Sequence, residues 1–333
     1  MDKKDTKTMG NLNLPVLKKM NSSTVVKKED SKSIKPIDIE SLKKKGKIDT
    51  ILKKDSIKTQ MHQEAQKRKG LDLVLIGDFT DSMEAYRETL RKKFKELCQT
   101  LLKIIPNLRI GIVFYLDHGA YPQNYAPDRN PYVTKTHKIS VDIESLCAFI
   151  DSTPIGSGID YDEAVEDALH EALNLNWSEI NARSIVLFGD ARGHEPNECD
   201  KGYDYFLLAK KLYEQDTPIN TVYCDTYIPY ESLSSLYPVD IGDFGKRVSK
   251  LSNPEFFSWL ANVTGGIAIG VERIDDLTDI IKSMAAKDAG KLEELEEEVA
   301  KIGLKPIPAL QIIKQKAKEI EHKKEVLGIT YKK

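Results

Sequence analysis

The stretch LDLVLIGDFTDSM, residues 71–83, decides the fold. Its opening run is apolar almost throughout, has the length of a strand and ends in Gly77 and Asp78, which reads as a parallel strand buried in a sheet. The residues that follow place Met83, Tyr86, Leu90, Phe94, Leu97, Leu101 and Ile104 on one helical stripe with charges opposite, until Pro106 stops the helix. A second apolar run, LRIGIVFYLD at 108–117, again ends in an acidic residue.

Working outward, the same alternation continues to about residue 285. An antiparallel edge strand is expected at 132–140, and helices near 142–150, 163–173, 205–215 and 254–263. Strands are expected at 184–189 and 219–225, with a short last one in the run IAIG at 267–270. Amphipathic helices alternating with apolar strands predict an α/β fold built on a doubly wound, mostly parallel sheet flanked by helices.

The flanks differ in texture. Of the 333 residues 31% are charged and 40% hydrophobic, which suits a soluble globular protein with solvated segments. Residues 1–70 hold nineteen Lys or Arg against nine Asp or Glu, so within an overall charge of −2 the rest of the chain is acidic. That segment is poor in aromatics and predicts a disordered basic N-terminal arm, with room for a short amphipathic helix at 37–52. Its basic run at 43–47 suits a weak contact with nucleic acid or an anionic surface, and a solvated, self-repelling tail is the plainer reading. Residues 286–333 read as a C-terminal helical extension, two charged helices broken by GLKPIP at 303–308. The expected division is therefore an arm at 1–70, one domain at 71–285 and an extension at 286–333. Neither a signal-peptide run nor a membrane-spanning one is expected, and Cys98, Cys147, Cys199 and Cys224 lie scattered without CxxC spacing, as reduced thiols of a cytoplasmic protein would.

Ligands of an open parallel sheet gather beyond the carboxyl ends of its strands. There, Asp78, Thr80 and Ser82 stand at alternate positions of one short turn, an oxygen set suited to a hard cation such as Mg²⁺ or Mn²⁺. The strand at 184–189 delivers Asp190 to the matching position, and the turn at 156–160 offers Ser157 and Asp160 just before a helix. Taken alone, Asp78 could merely cap the following helix, and Asp160 could be only a turn residue or an N-cap; Thr80, Ser82 and Asp190 favour the metal reading for the first, and a direct or water-mediated ligand is favoured for the second.

With these motifs in order, residues 71–285 resemble the von Willebrand factor type A family. That family carries a metal-dependent adhesion site with a DxSxS motif after the first strand, a Thr or Asp from a later Gly-containing loop, and an Asp after the fourth major strand. Here the first motif stands as Asp78-Phe79-Thr80-Asp81-Ser82; GSGIDYDEAVEDAL resembles the Gly-rich turn, with Asp160 in the place of the third element and Ser157 its rival; SIVLFGDARGHE resembles the strand and loop that supply Asp190, with Gly189 in place of the usual Thr. The YLDHG and GDARGHE segments look more like stress-signalling and kinase-associated A domains than like integrin ones. The resemblance implies a metal-dependent module that coordinates an Asp or Glu of a partner protein, and no enzyme.

Two rivals follow from the same residues. A haloacid-dehalogenase-like phosphotransfer enzyme also places an Asp after a strand beside Mg²⁺, but needs a second Asp where Thr80 stands. A metal-free scaffold is the other. His118 is read as a rim or structural histidine, and the loop holding His194, Glu195, Cys199 and Asp200 as a packed one, since its spacing fits no zinc pattern. The long segment 226–253, with Tyr227, Tyr230, Tyr237 and Phe244, offers either partner anchors or internal packing.

Overall fold

The computed structural model describes residues 70–118, 132–157, 160–225, 229–230, 233–301, 303 and 308–328. The basic arm, its helix at 37–52, Tyr227 and most of the loops at 117–131 and 303–308 lie outside the described residues.

Among the described residues six strands form one sheet: β1 (Leu71–Asp78), β2 (Arg109–Tyr115), β3 (Thr134–Ser140), β4 (Ala182–Gly189), β5 (Ile219–Tyr223) and β6 (Ala268–Gly270), in spatial order β3-β2-β1-β4-β5-β6. All neighbours are parallel except β2 and β3. Every residue of β1 is buried, the consequence of a central strand covered on both faces. Its side chains alternate: Leu71, Leu73 and Leu75 enter one core, Val74 and Ile76 the other.

The helices divide between the two faces as a doubly wound fold requires. α1 (Glu84–Ile104), α2 (Ile143–Ser152) and α7 (Leu277–Asp288) cover the first, through Leu90, Phe94, Leu97, Leu101, Leu146, Ile150, Ile280 and Met284. α3 (Val165–Leu173), α4 (Tyr205–Glu214) and α6 (Asn253–Thr264) cover the second, through Leu169, Leu208, Leu212, Trp259 and Leu260. Local chemistry sets several ends. Asp142 accepts from Ser145 N at 3.0 Å before α2, Asp204 accepts from Phe206 N at 2.9 Å before α4, and Ser252 with Glu255 forms a capping box before α6. Gly265, at φ +78°, closes α6 in a left-handed conformation that a side chain would strain.

The long segment after β5 includes a short turn of helix, α5 (Leu233–Leu236), and its described aromatics turn inward. Tyr230 is buried and donates to Asp276, and the Phe244 ring lies 5.5 Å from that of Phe206. At the carboxyl end, residue 286 falls inside α7, whose Asp288 Oδ2 accepts from Ser184 Oγ and Asn220 Nδ2, both at 2.7 Å. α8 (Leu292–Lys301) and α9 (Pro308–Leu327) then pack back: Leu295 and Leu310 meet Ala286, and Ala309 and Ile313 join the core.

Candidate functional site

The strand order runs outward in one direction from β1 to β3 and in the other from β4 to β6, so the crevice between β1 and β4 is the topological switch point of the sheet, where ligands of such folds bind. β1 ends there in Asp78, and β4 ends in Gly189, one residue before Asp190.

Asp78 is fully buried, and Thr80 nearly so. Asp78 Oδ1 accepts from Thr80 N at 2.8 Å and from Thr80 Oγ1 at 2.6 Å. Thr80 Oγ1 lies 3.2 Å from Ser82 Oγ, so the three side chains expected to act together do share one turn. Asp78 Oδ2 has no hydrogen-bond partner. Burial first, and then the charge of Asp190 beside it, push the Asp78 carboxyl up from 3.8 to about 7 against the lowering effect of the Thr80 hydrogen bonds.

Glu163, which no motif in the sequence marks, lies at the same switch point. Its backbone is pinned between two loops of the switch point: Glu163 N donates to Arg192 O at 2.9 Å, and Ala164 N to Leu116 O at 3.0 Å. The side chain is buried, Oε2 has no hydrogen-bond partner, and burial together with the charges of Asp78, Asp117 and Asp190 pushes its carboxyl up to about 10. Asp78, Asp190 and Glu163 thus form a mutually repelling group of carboxylates. The signal available in the sequence was position: Glu163 lies two residues before α3, whereas Asp160 stands farther out on the turn.

Asp160 is exposed and faces a different set of groups. Its backbone N donates to Asp117 Oδ2 at 3.3 Å, and its Oδ1 lies 3.8 Å from His194 Nε2. Ser157, its rival, donates to Asp81 Oδ2 at 2.5 Å, and Gly156 N donates to Phe79 O at 3.2 Å, so that stretch lies against the Asp78–Ser82 turn. The glycine at position 189 has a local cause. A Cβ there would meet Tyr115 Oη at 2.5 Å and Asp78 Cβ at 3.1 Å, so the tyrosine occupies the room a side chain would need.

A second cluster lies behind the first. His118 Nε2 is 2.8 Å from Glu166 Oε1 and 3.3 Å from Asp167 Oδ2. His194 Nδ1 is 3.2 Å from Glu166 Oε1, and its Nε2 is 3.2 Å from Asp117 Oδ1. These carboxylates push both imidazoles up, His194 to about 10. Glu195 turns the other way, accepting from Tyr205 Oη at 2.8 Å and Arg247 Nη2 at 2.9 Å. His118 and His194 are therefore buried network residues. Two groups of side chains have metal-ligand spacing, His118 with Glu166, Asp167 and Cys199, and Asp117 with Asp160 and His194.

The chain matches no described protein family and no curated protein. Solved structures with a similar chain path include the conserved hypothetical protein BatB of Bacteroides thetaiotaomicron, at 16% identity and a TM-score of 0.43 over 66% of this chain and 100% of that one. They also include an aerotolerance-related membrane protein of Bacteroides fragilis, at 18% identity and a TM-score of 0.41 over 66% and 100%. A third is the pilus adhesin SpaC of Lactobacillus rhamnosus GG, at 10% identity and a TM-score of 0.43 over 66% and 30%. No helix among the described residues is long and apolar enough to cross a membrane.

Proposed function

We propose that residues 71–285 act as a von Willebrand factor type A-like module that captures a partner protein through a divalent cation, Mg²⁺ or Mn²⁺. Asp78, Thr80, Ser82 and Asp190 would hold the cation, with Glu163 as the acidic group of the later loop and Asp160 contributing through water. A bound ion would supply an electrophilic centre for one more oxygen anion, an Asp or Glu of the partner.

The observation that carries this reading is the unpartnered Asp78 Oδ2, fully buried and beside Asp190. A buried carboxylate oxygen normally has a donor or a cation, and leaving one bare costs about 1–3 kcal/mol or more. All the proposed donors are oxygens, which favours a hard cation over zinc or copper. An open cavity of about 380 Å³ adjoins Asp190, lined by Tyr86, Tyr223, Cys224, Asp225 and Ile274, and offers the partner side chain a route to the ion. The loops at 191–204 and 226–253 would select the partner. The four cysteines are all unpaired, in keeping with action in the cytoplasm. Binding is proposed rather than catalysis, since Thr80 is tied to Asp78 as a hydrogen-bond donor where phosphotransfer would need a second acid.

The test is capture of partners from native extract by the full chain, with Mg²⁺ or with chelator, and by Asp78→Ala. The reading expects capture that needs both the cation and Asp78. Equal capture by all of them, or phosphoester turnover that disappears in Asp78→Asn, would overturn it.

A further inference from the structure

Behind the oxygen-only site, four buried side chains from three parts of the chain converge. His118 follows β2, Glu166 and Asp167 open α3, and Cys199 lies in the loop after β4. One donor atom from each falls within 4.8 Å of all the others. We propose that these four form a second metal site, distinct from the adhesion site, that takes a borderline-soft ion of the Zn²⁺ class.

The distances fit tetrahedral coordination. Bonds of about 2.3 Å to sulfur and 2.0–2.2 Å to nitrogen or oxygen set neighbouring donors roughly 3.3–3.7 Å apart. Cys199 Sγ lies 3.6 Å from Asp167 Oδ2, which in turn lies 3.3 Å from His118 Nε2. His118 Nε2 and Glu166 Oε1, at 2.8 Å, are closer, because a proton now joins them. An ion in that place would displace this proton and the thiol proton of Cys199 to solvent.

Neighbouring groups aim the donors inward, as outer partners do at metal sites. Lys201 Nζ donates to Asp167 Oδ1 at 2.6 Å, which leaves Oδ2 to face His118 and Cys199. His194 N donates to Glu166 Oε2 at 3.0 Å, and Oε1 faces His118 Nε2 at 2.8 Å with His194 Nδ1 on its other side at 3.2 Å. On the far side of the His118 ring, Nδ1 is buried without a hydrogen-bond partner, and Asp200 Oδ2 stands 3.8 Å away, on the side where a carboxylate would accept from Nδ1–H when Nε2 is a ligand. The sulfur and nitrogen donors separate this site chemically from the oxygen cluster around Asp78. It stands whether or not the adhesion site binds Mg²⁺.

The test titrates the full chain with Co²⁺ or Zn²⁺ in excess Mg²⁺, so that an oxygen site is already filled. Co²⁺ should give thiolate-to-cobalt charge-transfer absorption that saturates at one ion per chain. Cys199→Ser should abolish the band and His118→Gln should weaken binding more than about 100-fold, beyond the 10–100-fold that loss of an outer partner gives. Asp78→Ala and Cys224→Ser should keep the band, which separates this site from the neighbouring one. X-ray absorption on the Zn²⁺-loaded unaltered chain reads the same claim without any variant, and should find one sulfur among nitrogen and oxygen ligands. A zinc shell without sulfur, or a band unchanged in Cys199→Ser, would overturn the proposal.

Discussion

The central strand carries a buried aspartate at each end, and the two live in opposite circumstances. Asp72 and Asp78 are both fully buried. Asp72 Oδ1 accepts from Arg109 Nε and Asn181 Nδ2, each at 2.8 Å, and its Oδ2 accepts from Arg109 Nη2 at 2.5 Å and Ser178 N at 2.6 Å. Asp78 has donors on one oxygen only, and the charge that acts on it is that of another carboxylate, Asp190. The amino end of the sheet is thus closed by an internal cation. The carboxyl end is left electrostatically incomplete, which is the condition of a site that receives a cation from outside.

The largest effect should come from breaking the closed end. Asp72→Ala leaves Arg109 partly buried without its partner and should lower stability by about 3–5 kcal/mol in denaturant titration, metal present or absent. A loss below about 1 kcal/mol would remove the contrast between the two ends.

Next comes the cation itself. At about 100 times its dissociation constant, a ligand that binds only the folded chain adds about 2.7 kcal/mol. At about 2–4 °C per kcal/mol for a domain of this size, Mg²⁺ or Mn²⁺ should raise the melting temperature by roughly 5–10 °C over chelator. Coincident melts would argue for the metal-free scaffold.

Acidity sharpens the same comparison. The folded Asp78 carboxyl sits at about 7 against 3.8 for an ordinary one, so the metal-free fold holds this proton more tightly than the unfolded chain does. Its contribution is therefore fully present below about pH 3.8 and is lost as pH rises toward 7. Glu163, at about 10, extends the loss to alkaline pH. Because the cation competes with these protons, the melting shift it produces should grow as pH rises from 5 to 8, read by parallel melts with metal and chelator. A shift that shrinks over that range would mean that other groups hold the ion.

Gly189 is a smaller lever. A methyl there would lie 2.5 Å from Tyr115 Oη, and overpacking of this kind costs about 1–3 kcal/mol, so Gly189→Ala should destabilise the domain to that extent in chelator. The smallest effect is expected at Asp160: being exposed, Asp160→Ala should change stability by less than about 0.5 kcal/mol and cation affinity far less than Glu163→Gln does. Equal losses of affinity in the two variants would return Asp160 to the first rank of ligands.

Sequence legibility followed the range of the interactions. The sheet was readable because β1, β2 and β4 are apolar runs and α1 keeps its stripe for 21 residues, both local patterns. Asp78, Thr80 and Ser82 were readable because they share one turn, and Asp190 because it follows a strand. Glu163 was not, because a turn with several acidic residues, Asp160, Asp162 and Glu163, gives no local sign of which one points at β1. The cluster of His118, Glu166, Asp167 and Cys199 was still less so, since only the crossing of β2, α3 and the loop after β4 brings these residues together. The packing of α8 and α9 was hidden for a similar reason, with only Leu295, Ala309, Leu310 and Ile313 buried on otherwise charged helices.

The most direct measurement is calorimetric titration of Mn²⁺ into the full chain and into Asp78→Ala, each first loaded with one equivalent of Zn²⁺ so that any sulfur-bearing site is already filled while no free Zn²⁺ competes for the oxygen site, with melts in chelator as the control for folding. The account predicts one Mn²⁺ site in the unaltered chain, its loss in Asp78→Ala, and a variant that melts no lower than the parent in chelator, because removing one of several repelling carboxylates relieves strain at the open end of β1. Unchanged Mn²⁺ binding by a well-folded Asp78→Ala would contradict it.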